Sequence, residues 1–199
     1  MTCARIFLLL FVTVLAACSS LPTSQDRKAL AQENIKPAAR SDFSRAVKAL
    51  KARKHKTAER LLISMTRKYP ELSGPYLNLG ILYSRTSRYR KAETWLRKAI
   101  KVNPRKAAAY NELGILLRNQ GKFKQAREAY EQALSVDPDY AYAHLNLGIL
   151  FDLYLLQSKD ALSHYRRYQN QRPGDKKQVS KWIIDLERRI KRGDKVALY

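Results

Sequence analysis

The chain has 199 residues, 39 of them Lys or Arg against 17 Asp or Glu, for a net charge of +22. Its 2 cysteines, Cys3 and Cys18, both lie at the start, which excludes a disulfide framework for the body. Helix formers are plentiful, Gly and Pro are few, and a body of this size buries roughly 70% of its unfolded surface, so it needs no covalent staple.

Residues 1–17 stand apart from the rest. Arg5 precedes an apolar run from Ile6 to Leu15, broken by Thr13, and small residues then lead to Cys18. A charged start, a short apolar stretch and a small-residue cleavage region describe a bacterial export signal. The run is too short to span a bilayer, which takes about 20 residues. Leu15-Ala16-Ala17-Cys18 resembles the lipobox of bacterial lipoproteins. That resemblance implies cleavage before Cys18 and acylation of the cysteine. Ser19 behind it implies sorting to the outer membrane, with the body facing the periplasm. An ordinary secretory signal with an accidental cysteine is the alternative. Residues 18–38, with Pro22, Pro37 and little apolar periodicity, read as a tether; a short helix over Ala29–Ile35 packed on the body is the other reading.

From there the chain repeats itself. Pro70, Pro104 and Pro138 fall 34 residues apart, and Pro173 follows at 35. Ahead of three of them stand Tyr76-x2-Leu79-Gly80-x2-Tyr83, Tyr110-x2-Leu113-Gly114-x2-Leu117 and His144-x2-Leu147-Gly148-x2-Phe151. A small and a large residue recur four apart at Ala58/Leu62, Ala92/Leu96, Ala126/Tyr130 and Ala161/Tyr165. This pattern resembles the tetratricopeptide (TPR) repeat, a helix–turn–helix unit that cannot bury its apolar face alone and must stack.

The resemblance predicts an all-α fold, a right-handed solenoid of about four helix pairs with a C-terminal capping helix. The repeats are expected at 39–72, 73–106, 107–140 and 141–174, and the cap at 175–192. Repeat one is degenerate in its first helix but keeps Phe43, Ala46, Val47 and Leu50 at helical spacing. Gly80, Gly114 and Gly148 lie inside first helices, where a glycine is costly unless two helices approach closely. Repeat four has one extra residue between Phe151 and Ala161, so its turn should be extended or displaced. Val179, Trp182, Ile183, Leu186 and Ile190 form one helical stripe suited to covering the end of the stack. A detachable docking helix is the alternative there.

TPR proteins usually hold a ligand along the concave face lined by first helices. Carried over by position, repeat two offers Gly74, Leu77, Ile81, Ser84 and Arg85; repeat three offers Ala108, Asn111, Ile115, Arg118 and Asn119; repeat four offers Tyr142, Leu145, Ile149, Asp152 and Leu153. The surface so drawn is apolar in its middle and polar at its rim. It suits a peptide or amphipathic helix with aliphatic or aromatic anchors. It does not match the carboxylate clamp of chaperone-binding TPR proteins, because Leu77 and Ile81 occupy the clamp's places. Asn78 and Asn146 stand at a consensus asparagine position and read as structural. Whether Ile81, Ile115 and Ile149 line a groove or pack helix on helix stays open.

The positive charge is uneven. Repeat one has ten basic against three acidic residues and repeat two nine against one, whereas repeat three has four against five. Arg45, Lys48, Lys51, Arg53, Lys54 and Lys56, with Arg88, Arg90 and Lys91, therefore form a candidate surface for anionic lipid or an acidic envelope polymer. A solvated charged face is the plain alternative. Nucleic acid is disfavoured by the export signal and by the lack of any recognised module for it.

The three histidines show no close metal spacing, and no phosphate loop or nucleophile elbow is present. No cofactor, metal or catalytic residue is expected. The sequence thus reads as a membrane-anchored scaffold for a protein or peptide partner. Assembly of a pilus or secretin, recruitment of a peptidoglycan enzyme, or service to a TonB-type system are the settings the resemblance implies. A basic structural protein using repeats one and two is the competing function.

Overall fold

A computed structural model describes residues 36–172 and 176–193. The signal at 1–17, Cys18, the tether up to residue 35 and Pro173 lie outside the described residues. Among the described residues there are nine helices and no strand. The pairs are α1 (Pro37–Lys51) with α2 (His55–Lys68), α3 (Ser73–Arg85) with α4 (Tyr89–Val102), α5 (Ala107–Asn119) with α6 (Phe123–Val136), and α7 (Ala141–Leu153) with α8 (Ser158–Gln171). A last helix, α9 (Lys176–Arg192), follows. The all-α expectation of four pairs and a C-terminal helix is met. Helix α1 begins at Pro37, two residues ahead of the expected start of repeat one. Proline suits the first helical turn because the N–H it lacks would have no intrahelical partner there.

Partners within each pair pack against each other, and α2, α4 and α6 each pack on the first helix that follows. The first helices α3, α5 and α7 also touch in sequence, α3 with α5 and α5 with α7. They share one face, and α4, α6 and α8 form the other.

Close approach within a pair explains the interior glycines. A Cβ built on Gly80 would stand 2.5 Å from Leu96 Cγ; on Gly114 and Gly148 it would run closer still into the rings of Tyr130 and Tyr165. The large member of each small–large pair thus sits directly on the glycine of its partner helix. Tyr130 is 0% exposed, so its ring has no free space to retreat into. In repeat one the same register holds Ala46, also fully buried.

Each turn inside a pair contains one residue with left-handed backbone. These are Arg53 (φ 55°), Ser87 (φ 57°), Gly121 (φ 73°) and Leu156 (φ 56°). In the first three pairs the next N–H reaches back five residues, from Lys54 to Ala49, Arg88 to Tyr83 and Lys122 to Leu117, at 2.8–3.0 Å. This is the Schellman closure of a helix C-terminus. In repeat four the extra residue lengthens the turn, and the closing bond runs from Gln157 N–H to the Phe151 carbonyl at 2.8 Å.

At the far end α9 lies on α8, burying Val179, Ile183 and Leu186. Trp182 meets Tyr165 with ring centroids 5.3 Å apart. Arg189 donates to Asp152 Oδ1 at 2.8 Å, which ties α9 back to α7. The apolar stripe read from the sequence is therefore spent on covering the stack.

Candidate partner-binding surface

The face formed by α3, α5 and α7 is where the sequence placed a ligand, and the residues expected there divide into two sets. Ile81, Ile115, Leu145 and Ile149 are half-buried: each packs on its neighbours and still shows part of its side chain. Arg85 and Asn119 are exposed, and Tyr142 is 43% exposed. Tyr142 is held rather than loose, with the rings of Tyr140 and Tyr168 at 6.2 and 6.4 Å and the Arg172 guanidinium 5.4 Å over its own ring. Rigid aromatic area of this kind is a low-entropy anchor for a partner.

Leu77, Asn111 and Asp152 do not take the expected place, being 8%, 2% and 6% exposed. Leu77 is buried within the stack. The Asn111 side-chain oxygen accepts from Asn146 Nδ2 at 2.9 Å, a buried bond that pins α5 to α7. Asp152 is committed to Arg189, and the Tyr165 hydroxyl approaches its other oxygen at 3.5 Å. Arg118 is half-buried and donates to Asn146 Oδ1 at 3.3 Å, so it serves the interface before it serves a ligand. The usable surface is thus narrower than the sequence implied. The structural role read for Asn146 is realised in these bonds, and that for Asn78 in a bond from Nδ2 to the Gly74 carbonyl at 2.9 Å.

Glu112 on α5 was not singled out from the sequence. Burial pushes its carboxyl above the usual range, and Arg85 offsets this in part. Glu112 thus puts a half-desolvated carboxylate within electrostatic reach of Arg85.

The basic residues of the first two repeats do not form one free patch either. Lys48, Lys51, Arg53, Lys54, Lys56, Arg90 and Lys91 are exposed. Arg45 is exposed but sits 3.4 Å from Asp42. Arg88 is engaged in the fold: it pairs with Glu59 at 3.0 Å and lies 4.3 Å over the ring of Tyr83, whose hydroxyl donates to the same Glu59 at 2.6 Å. The Tyr83 bond holds the Glu59 carboxyl below its ordinary range, with Arg88 adding to it.

Repeat four holds an arrangement that no sequence spacing revealed. His144 Nδ1 and His164 Nδ1 lie 2.9 Å apart, and His144 Nε2 is 3.1 Å from the Pro138 carbonyl. That carbonyl can only accept, so His144 carries its proton on Nε2 and its Nδ1 accepts from His164 Nδ1–H. Burial depresses both rings; His164 falls to about 4, with His144 beside it adding to the effect. The pair is neutral at neutral pH and fills the gap between α7 and α8. Phe151 stacks on His164 at 5.5 Å. Among the described residues no group of three His, Cys, Asp or Glu side chains converges as a metal site would require.

The fold and this face define an all-α helical-repeat protein. Residues 74–106 and 95–128 match two family models described as tetratricopeptide repeat, and residues 116–152 match one described as TPR repeat. Residues 74–152 are therefore tetratricopeptide repeats, a class of unit that serves protein–protein interaction. No curated protein matches the chain. Among solved structures, a thermophilic TPR protein of Thermus thermophilus is 21% identical, with 81% of this chain and 86% of that one covered and a TM-score of 0.65. Pseudomonas aeruginosa pilF is 17% identical, with 78% and 70% covered and a TM-score of 0.70. A mutant O-GlcNAc transferase of Thermobaculum terrenum is 23% identical at a TM-score of 0.61; 67% of this chain is covered, but it spans only 26% of the transferase. At these identities the likeness is one of fold.

Proposed function

We propose that the chain is a scaffold that holds a peptide or amphipathic helix of a protein partner on the face of α3, α5 and α7. The observation that carries this reading is the row Ile81, Ile115, Leu145 and Ile149, half-buried and flanked by exposed Arg85, Asn119 and Tyr142. An aliphatic row that packing has not fully covered, with polar groups at its margin, is what a helix or extended peptide bearing aliphatic anchors requires. The scaffold performs no chemistry of its own. Acylation at Cys18 would hold it on the outer membrane with the repeats in the periplasm, and its partner would be a component of an envelope assembly: a pilus or secretin, a peptidoglycan enzyme or a TonB-type complex.

Ile115→Asp tests the surface. The side chain is half-exposed, so the variant is expected to keep its helical circular dichroism and lose the proteins that the wild-type chain captures from envelopes. Capture unchanged by Ile115→Asp would overturn the reading. Leu77→Asp is the wrong probe, because Leu77 is buried and a charge there unfolds the stack. Mass spectrometry of the mature N-terminus checks acylation at Cys18 separately.

A further inference from the structure

The turns between paired helices lie along one edge of the stack, and they change character from one end to the other. In repeat one the turn is Lys51-Ala52-Arg53-Lys54. Arg85 of the next repeat lines one cleft together with Lys51, Arg53 and His55, so the first two turns are spatial neighbours. Repeat three continues the edge with Gln120-Gly121-Lys122. In repeat four the turn is Tyr154-Leu155-Leu156-Gln157, preceded by Leu153. Leu153 is 62% exposed, the highest value for a large apolar residue among the described residues, and Tyr154 is 44% exposed. Tyr154 stacks on Phe123 of the neighbouring repeat at 4.7 Å, which joins this tip to the basic part of the edge.

Turns are ordinarily polar because their backbone faces water. Here an apolar tip is kept on the surface, and a leucine stands at φ 56° where glycine is favoured. Leu153 and Tyr154 stand out to solvent from this turn. Its charged surroundings are basic on one side, where Lys122 and Lys124 flank Phe123, and balanced on the other, where Lys159 and Asp160 on α8 offset each other. A projecting apolar tip on a cationic edge suits a soft, flat, negatively charged surface. Basic residues gather at the headgroups, and Leu and Tyr side chains enter the boundary between headgroups and acyl chains.

We propose that this edge docks on an anionic lipid bilayer, with Leu153 and the Tyr154–Leu156 turn entering the interface and the exposed cations of repeats one to three held at the headgroups. The contact differs from the basic surface read from the sequence in two ways. It leaves Arg88 in its internal pair, and it recruits repeat four, which carries no excess of charge there. It shares Arg85 with the margin of the peptide-binding face but none of the aliphatic row Ile81, Ile115, Leu145 and Ile149, so the two are probed at different residues.

The apolar run Ile6–Leu15 would bring the full chain to any vesicle, so the readout must sit on the turn itself. An environment-sensitive fluorophore is attached at Leu153→Cys in the full chain bearing Cys3→Ser and Cys18→Ser, with a control probe at exposed Gln125→Cys. On vesicles of phosphatidylcholine with phosphatidylglycerol, emission at position 153 is expected to shift to the blue, to be quenched by lipids brominated in their tails, and to revert on adding salt. On phosphatidylcholine alone it stays unshifted, and the Gln125 probe stays unshifted throughout. Because the apolar run sets how much chain reaches the vesicle, Lys51→Glu/Lys54→Glu/Lys56→Glu is read at saturating lipid: each cation at an anionic surface strengthens docking about fivefold, so this variant should lose most of the shift there. Equal shifts on both kinds of vesicle, equal shifts at both probes, no shift at all, or a shift that appears only when an envelope protein is added would each overturn the proposal; the last would make the tip a protein contact.

Discussion

Repeats three and four share a scaffold and differ in what has been built on it. Both seat a tyrosine of the second helix on a glycine of the first, Tyr130 on Gly114 and Tyr165 on Gly148. Repeat three closes its turn with Gly121, pairs Tyr110 with the small Ala129 in the register where repeat four has His144 and His164, and ends its first helix in an exposed asparagine, Asn119. Repeat four replaces these with the histidine pair, with Leu156 in a lengthened turn, and with Leu153, 62% exposed; beside it Asp152, in the place of Arg118, is buried and paired with Arg189 of α9. The shared positions make the stack. The differing ones close its end and shape its surface.

Each difference can be broken, and the ion pair should matter most. Arg189→Ala leaves the Asp152 carboxylate buried without its cation, with only the long Tyr165 contact remaining, a loss of about 3 kcal/mol. Replacing both residues with leucine should recover most of it, because two apolar groups need no mutual charge. Chemical denaturation of the three proteins checks this. If Arg189→Ala matches the wild type, α9 is not held by the pair.

The histidines come next. A base whose pKa is depressed on folding contributes stability above its unfolded value, near 6.5, and loses it as pH falls toward its folded value, about 4 for His164. The His164 shift corresponds to a fall of up to about 3 kcal/mol across that window, and the depression of His144 acts in the same direction. His144→Tyr/His164→Ala, which gives repeat four the residues of repeat three, should flatten the fall whatever it does to stability at neutral pH. An unchanged slope in melting temperature against pH would assign the acid sensitivity to other groups.

The smallest effect belongs to the turn. Leu156→Gly relieves a left-handed leucine and should stabilise by about 1 kcal/mol, and Gly121→Leu should cost a similar amount. Urea midpoints of the two variants, moving in opposite directions, would tie the backbone of both turns to the same physical cause.

Much of this was legible beforehand. Prolines at a fixed interval, the Leu-Gly pairs and the small–large pairs specify helices that must pack in a set order, and the glycine positions specify which side chain each helix receives. The aliphatic row at Ile81, Ile115 and Ile149 was also visible, though not its half-buried state. Sequence position misleads where a residue's environment comes from a distant element. Asp152 stands where TPR ligand contacts stand, yet its neighbour, Arg189, belongs to a helix outside the repeats. Asn111 stands likewise, and its partner Asn146 lies one repeat away. Arg53, Ser87 and Leu156 carry no glycine signature, so only the backbone itself disclosed that they share one conformation with Gly121.

The chain's own periodicity determined that it is helical, that its helices pair, and that the pairs stack, since apolar residues recurring at a constant spacing leave one way to remove them from water. Tertiary structure decided which of the polar residues face outward and which are paired within. That choice depends on the free energy of desolvating each group against the partner that folding brings to it, and for Asp152, Asn111 and the two histidines the partner stands on another helix.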